Sequence, residues 1–401
     1  MKNYRLDYPF FENNPNTIFF DNAATALKPK CVVDAVTYYY THLSCNAHRG
    51  DYHLSYLVDK EIAEARKDVA SFIGANDNEI AFISGTTEGI NIIANGYVSK
   101  IINEGDEILI SELEHASNVL PWFKIAHEKG AKVTYVKLDE NNKITPQNVK
   151  NAITSKTRVI SLAYISNVLG YKIDAKEIAK IAHENNIIFI LDGAQSTPHI
   201  KVDVKDLDCD FYVFSAHKLG GPTGIGAMYG KEEYLAKTEP YNLGGGMNKK
   251  FSKDTNYDPY NSVRKFEAGT PNIEGIFGFR AIVNYLSEIG MENIEKREKE
   301  LRNRALEGLR KLSNVTIYND DEEASTISFN IKDVFAQDAA SLFAKYNICL
   351  RAGQHCAKLI DGVIGTYASL RVSLYFYNTE EEVDKFIETA SKGSDFLDAY
   401  F

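Results

Sequence analysis

The sequence predicts an α/β protein in which a large, mostly parallel sheet is covered by helices and a smaller α+β unit completes the chain. Two observations lead there. Short, continuously apolar runs alternate with amphipathic segments from about residue 60 onward, and strand–helix alternation of this kind favours a parallel sheet buried on both faces. After about residue 262 the texture changes to long charged segments and separate strand-like runs.

In chain order, the runs that read as buried strands are EIAFIS (79–84), DEILIS (106–111), KVTYVKL (132–138), RVISLAYI (158–165), IIFILDGA (187–194) and FYVFSA (211–216). Amphipathic segments such as DAKEIAKIAHENN (174–186) lie between them and read as covering helices. FYVFSA is followed by His217-Lys218 and then by a glycine-rich stretch that reads as a loop. Beyond residue 262, MENIEKREKELRNRALEGLRKL (291–312) reads as a long helix, VTIYN, STISFNI, ICLRAG and SLRVSLYFYN as strands, and a closing helix starts near Thr379. The expected division is a large unit over 22–262 and a small unit made of 1–21 and 263–401.

Composition narrows the function classes. A chain of 401 residues is long for a single core, which suits two packed units. It is 44% hydrophobic and 25% charged, with a formal net charge of -10 and no basic stripe. That balance argues against nucleic acid or an acidic membrane surface as the main partner. The stretch MKNYRLDYPFFENNPN is too polar for a signal peptide, and no apolar run approaches the roughly 20 residues of a membrane span. The expected location is cytoplasmic. Five scattered cysteines, without CxxC or zinc-like spacing, suggest neither a disulfide framework nor a metal site.

The chemistry concentrates where strands end, which is where ligands bind in parallel α/β sheets. Asp192 directly follows the apolar IIFIL; it is either a cap for the next turn or a fixed anion facing a buried ring nitrogen. Lys218 ends the next strand, where an amine is either solvated or used. Together they meet the needs of pyridoxal phosphate, whose aldehyde takes a lysine and whose pyridine nitrogen needs a carboxylate to stay protonated. The turn Ser84-Gly85-Thr86-Thr87-Glu88-Gly89 offers backbone donors and the Thr86 and Thr87 hydroxyls to a phosphate. It lacks a nucleotide P-loop pattern. Ser215 and His217 are further phosphate candidates. His115 ends another strand and is either structural or placed to stack on the ring and handle protons near neutrality. Asn167 closes a fourth strand within reach of the ring hydroxyl.

The combination DGAQ (192–195) and SAHKLGGPTGIGAMYG (215–230) resembles the class V, fold type I pyridoxal-phosphate enzymes, in particular cysteine desulfurases of the sulfur-mobilising, selenocysteine-lyase-like type. The resemblance runs nearly end to end through FFDNAATALKP (19–29), NAHRG (46–50), SGTTEGIN (84–91), SELEHASNVLPW (111–122), ISNVLG (165–170), FEAGTPN (266–272), RAGQHCA (351–357) and LRVSLYFYNTEEEVD (370–384). It implies that Lys218 carries the covalent link to the cofactor, Asp192 holds the pyridinium and His115 stacks on the ring. Gln195 and Asn167 contact the ring oxygen; Thr86, Thr87, Ser215 and His217 hold the phosphate. Thr270 reaches the phosphate of a neighbouring subunit, so a homodimer is expected.

The same resemblance implies that Cys356 accepts the sulfur of L-cysteine as a persulfide, leaving L-alanine, and hands it to an acceptor protein. Arg371 clamps the substrate carboxylate, and Arg351, His355, His48, Arg49 and Ala23 line the substrate mouth. Gln354, Tyr52 and Met247 depart from the family pattern at the mouth and the interface loops, not at the cofactor cradle. Alternatives within the same cofactor class are a selenocysteine lyase, a cysteine-sulfinate desulfinase or another class V lyase. A catalytically silent scaffold for a sulfur-transfer partner is the alternative from a different class.

Overall fold

A computed structural model describes residues 3–47, 50–321, 325–393 and Leu397. Seven strands form the large sheet: β1 (Ile80–Ile83), β2 (Glu107–Ile110), β3 (Lys132–Tyr135), β4 (Thr157–Ala163), β5 (Ile188–Asp192), β6 (Phe211–Ser215) and β7 (Gly226–Gly230). Their spatial order is β1-β7-β6-β5-β4-β2-β3. β2 through β6 pair in parallel, while β7 runs antiparallel to both β1 and β6. All six apolar runs between residues 79 and 216 become strands. The seventh strand was hidden in the stretch expected to be loop. Gly226-Ala227-Met228-Tyr229-Gly230 is fully buried and paired on both sides, because burial between two strands outweighs the weak strand preference of its glycines.

The sheet is buried on both faces, and the strands show it by alternation. Phe189 and Leu191 of β5, with Tyr212 and Phe214 of β6, join one apolar core. Ile188 and Ile190, with Phe211 and Val213, join the core on the other face. Helices cover both. The first face packs on α1 (Lys30–Tyr38), α2 (His53–Phe72) and α4 (Ala175–Glu184), whose buried residues join that core. The second packs on α3 (Thr86–Ile93).

The later part of the chain adds α5 (Ile273–Ile289), α6 (Met291–Leu309), a four-stranded antiparallel sheet and the closing helix α7 (Glu380–Ser391). That sheet consists of β8 (Val315–Ile317), β9 (Ile327–Ile331), β10 (Arg351–Gly353) and β11 (Ser369–Val372), in spatial order β8-β9-β11-β10. Its core is a separate cluster to which Leu301, Leu306, Phe329, Phe343, Leu370 and Phe386 belong, and Phe20 from the amino-terminal segment joins it. α5 packs on α1 and α2 and shares the core of the large sheet. We therefore propose Gly290, which follows α5 with φ +86°, as the junction between the two units, rather than residue 263. No helix among the described residues is long and apolar enough to cross a membrane.

The outer edge of β1 is closed by a charge pair. Arg66 of α2 donates to both Glu267 carboxylate oxygens, at 2.6 and 2.8 Å, and to the Ile80 carbonyl at 2.7 Å. Glu267 also accepts the Phe82 N–H at 2.8 Å. The pair satisfies edge groups that would otherwise face away from the sheet unpaired. Glu267→Ala strands a largely buried guanidinium, so the unfolding free energy from urea titration is expected to fall by roughly 3–5 kcal/mol. A loss below about 1 kcal/mol would show that water replaces the carboxylate freely.

Candidate active site

β5 ends at Asp192 and β6 at Ser215, on adjacent parallel strands, so both carboxyl ends open on the same edge of the sheet. A cavity of about 210 Å³ lies there, lined by Ala23, Thr86, Thr87, His115, Asn167, Asp192, Gln195, Ser215, His217, Lys218, Arg351, His355 and Arg371. These come from segments spread over 349 residues of chain, from Ala23 to Arg371. Ala24, Ser117, Ala163, Ile165 and Ala194 complete the walls.

Local sequence explains how each group is aimed. Gly193 lets the chain turn immediately after Asp192 by passing over Tyr212, since a Cβ there would lie 2.1 Å from the Tyr212 ring. The Tyr212 hydroxyl in turn bonds Ser196 and Thr197 at 2.7 and 2.8 Å. Asp192 is 4% exposed and accepts the Ala194 N–H at 2.9 Å. Burial raises its pKa above the usual carboxylate value, against the pull of Lys218 and that hydrogen bond. Lys218 has its pKa lowered to about 8, first by burial; Asp192 opposes that shift, and Arg371 and Arg351 reinforce it.

On one side of the cavity, α3 presents its amino terminus. Gly85, at φ +153°, caps it without a side chain, and a Cβ there would come within 3.0 Å of Ser215 Oγ. The Thr86 N–H donates to Ser215 Oγ at 2.9 Å, and the Thr86 hydroxyl lies 3.0 Å from the same oxygen. Thr87 Oγ1 meets Ser117 Oγ at 2.7 Å. Backbone donors, four hydroxyls and the helix terminus form an anion cradle.

His115 Nδ1 accepts the Ser117 N–H at 3.1 Å, which puts the neutral-ring proton on Nε2. Its pKa falls to about 4, first through burial, then through Lys218, Arg351 and Arg371. This differs from the expectation that His115 titrates near neutrality: enclosure among cations holds the ring neutral. His217 also falls to about 4, through burial and then Lys218 and Lys28.

The remaining wall comes from the antiparallel sheet. Arg371, on β11, is 2% exposed; it donates to the Asn167 carbonyl at 2.8 Å and to Asp21 at 3.2 Å. Burial lowers its pKa to about 10. Asn167 Nδ2 donates to the His355 carbonyl at 2.9 Å, and Gln195 Nε2 to the Ala23 carbonyl at 2.8 Å. Asn167 Oδ1, Gln195 Oε1, His355 Nδ1 and Arg371 Nε are buried without a hydrogen-bonding partner among the described residues. Four such atoms around one cavity mark a place built for a polar occupant.

Cys356 sits at the rim and is exposed. It and His355 occupy consecutive left-handed positions, φ +58° and +52°, a strained arrangement for residues with a Cβ. The loop is held by Cys356 O accepting the Ala116 N–H at 2.8 Å, by His355 Nε2 against Ser369 Oγ at 3.0 Å, and by Gln354 Nε2 donating to Asp361 at 2.6 Å. Gln354 thus fastens the loop instead of facing the cavity. Arg351 lines the cavity and reaches Cys356 Sγ at 3.6 Å, joining rim to floor.

Not every expected residue is gathered here. Thr270 is exposed and accepts from Asn46 Nδ2 at 3.4 Å, outside the cavity. His48 and Arg49 lie outside the described residues. Tyr52 is exposed, whereas Met247 is buried.

Comparison with known proteins places the chain in a family. Residues 18–386 match the family model described as Aminotransferase class-V. The chain belongs to the class V aminotransferase family. This family member is 39% identical over 396 residues to the probable cysteine desulfurase of Halalkalibacterium halodurans, covering 97% of this chain and 96% of that one. It is 38% identical over 378 residues to the cysteine desulfurase of Haloferax volcanii, covering 92% and 88%. Among solved structures, the apo cysteine desulfurase of Thermococcus onnurineus superposes with a TM-score of 0.92 at 37% identity, over 97% of this chain and 96% of that one. The S-sulfonic acid form of the Escherichia coli cysteine desulfurase CsdA gives 0.92 at 34%, over 98% of each.

Sequence reasoning missed two acidic residues of this class V protein. Asp21 pairs with Arg371. Glu114, 1% exposed, precedes His115 and accepts from Ser111 at 2.6 Å, Asn118 at 2.7 Å and the Ala163 N–H at 2.8 Å. A carboxylate before the histidine at a buried strand end was the available signal. Burial raises the Glu114 pKa to about 8. The folded chain therefore keeps a proton that the unfolded chain releases near its ordinary value, so this residue's contribution makes stability decline as pH rises from about 4.5 to about 8. Thermal unfolding of Glu114→Gln between those limits is expected to show a shallower decline than the parent; parallel curves would remove Glu114 from the account.

Proposed function

We propose that this chain is a pyridoxal-phosphate-dependent cysteine desulfurase that converts L-cysteine to L-alanine and holds the sulfur as a persulfide on Cys356. The observation that carries this reading is the convergence of Lys218, Asp192 and His115 on one cavity, with Arg351 linking it to the Cys356 sulfur. The curated relatives and solved structures named cysteine desulfurase support it.

The residues fit the cofactor. Asp192 supplies a buried anion for a ring nitrogen, the Thr86, Thr87, Ser215 and His217 cluster supplies donors for a phosphate, and Lys218 supplies the amine that anchors the aldehyde. Once bound, pyridoxal phosphate supplies an electron-accepting ring conjugated to the substrate amine. Asp192 would hold a proton on the ring nitrogen, and His115, neutral and fixed by Ser117, would lie against the ring. The Lys218 amine, brought by burial close to neutral pH, moves the proton at the substrate Cα. Arg371 holds the substrate carboxylate through the face carrying its unpaired Nε. Arg351 orients Cys356 Sγ, which attacks the substrate sulfur. The S–S bond forms as the C–S bond breaks, and the electron pair stays with the carbon skeleton, which takes up protons and leaves as alanine.

A homodimer belongs to the same proposal. Thr270 is absent from the lining of its own cavity, and the chain exposes the large apolar side chains Leu243, Phe251 and Tyr257, at 61%, 78% and 53%. In such a dimer Thr270 would serve the phosphate site of the neighbouring copy. An acceptor protein that takes sulfur from exposed Cys356, and a cytoplasmic site of action in keeping with five unpaired cysteines, complete the reading.

Cys356→Ala is expected to abolish alanine and sulfide production from cysteine while leaving the near-visible cofactor absorbance unchanged; undiminished turnover would overturn the persulfide route. Activity on selenocysteine or cysteine sulfinate, which need no thiol attack, would survive that substitution if the chain were a lyase for those substrates. Lys218→Ala is expected to lose the absorbance band itself. Arg371→Lys should raise KM for cysteine roughly 10- to 100-fold, the range for losing a charged hydrogen bond; an unchanged KM would place the carboxylate elsewhere.

A further inference from the structure

A second cavity, also of about 210 Å³, lies behind the segment that carries Asn167. Ile165 forms a wall of both cavities, and Tyr171 and Lys172 bring the far end of the same segment into the second. Its floor is α6. Glu298 and Arg302 sit four residues apart on that helix, and so on one face.

Arg302 is buried, Glu298 is half-buried with its Oε1 enclosed, and both are only partly satisfied. Arg302 is 3% exposed; Nε donates to the Thr326 carbonyl at 3.2 Å and Nη2 to the Asn319 carbonyl at 3.3 Å, while Nη1 has no partner among the described residues. Glu298 Oε2 takes a hydrogen bond from His199 Nδ1 at 2.8 Å, while Oε1 has no partner among the described residues. Burial pushes the two groups in opposite directions, Arg302 down to about 10 and Glu298 upward. An unpaired donor and an unpaired acceptor of opposite charge, one helical turn apart, do not pair with each other. Leaving either group dry and unbonded is costly.

The chemistry of the lining limits what can fill it. Nη1 only donates and so calls for an acceptor oxygen, a carboxylate best matching its charge; Oε1 calls for a donor. Four basic side chains and three carboxylates line the cavity among the described residues, a near balance that suits a neutral-overall ligand and disfavours a multiply charged anion. Ile165, Ile200 and the Tyr171 ring supply an apolar wall. We propose that this cavity is a second binding site, for a zwitterion of amino-acid size whose carboxylate meets Arg302 Nη1, whose ammonium meets Glu298 Oε1 and whose side chain lies against Ile165 and Ile200. It is separate from the catalytic cavity and does not depend on the desulfurase reading, because its occupant touches none of Lys218, Asp192 or Cys356.

The test is calorimetric titration of the holoenzyme with L-valine, with Glu298→Gln and Arg371→Lys as paired variants. Valine binding that persists in Arg371→Lys but weakens at least tenfold in Glu298→Gln, the effect of losing a charged hydrogen bond, is the expected result. Isovalerate, which lacks the ammonium, should bind the parent at least tenfold more weakly than valine. Absence of a binding heat in Arg371→Lys, or binding that Glu298→Gln leaves unchanged, would overturn the site. If glutamine at 298 prevents folding, Glu298→Asp, which keeps the charge but withdraws it by one methylene, should weaken valine in the same direction; unchanged affinity in that variant would equally overturn the proposal. The readout is heat of binding, so loss of desulfurase activity and loss of this site are separately visible.

Discussion

The structure is organised around one electrostatic constraint, an amine and a carboxylate desolvated together at the edge of a parallel sheet. Neither Lys218 nor Asp192 is comfortable there. Burial works against the charged form of each, and each is the main counterweight to the other's shift. Such a pair persists only if the scaffold holds it, and here the scaffold is the adjacency of β5 and β6 with their carboxyl ends on the same edge. The burial that weakens the charges also leaves the amine close to neutrality, where it can exchange protons.

Around that pair, the chain spends its local irregularities on aiming. Gly193 lets the backbone clear Tyr212, Gly85 lets α3 approach Ser215, and the His355–Cys356 kink lifts the thiol to the rim. The antiparallel sheet contributes Arg371, and the amino-terminal segment contributes Ala23 and Asp21. The site is therefore closed by parts of the chain that are distant in sequence and that meet only when both sheets are in place.

The two cavities share this logic. Ile165 separates them, and in both a buried guanidinium is left with one unpaired nitrogen, Nε of Arg371 in the first and Nη1 of Arg302 in the second. In each case the other guanidinium nitrogens bond main-chain carbonyls or a carboxylate, so the free donor is held in position before any ligand arrives.

By itself the sequence determined the six apolar strands, the position of the site at their ends and most of the groups that line it, because continuous hydrophobicity and an isolated polar residue at its boundary are local signals. It also marked Cys356 as a thiol in a polar glycine-containing loop rather than in a core. Only the tertiary structure decided that Gly226–Gly230 is a strand, that α5 belongs to the large sheet's core, that His115 is held neutral, that Asp21 pairs with Arg371 behind the cavity, that Glu114 is buried beside His115, and that Thr270 stands apart from the site. Each of these depends on what a residue is packed against from elsewhere in the chain. Burial, charge proximity and strand pairing are properties of neighbours in space, and no stretch of sequence carries them alone.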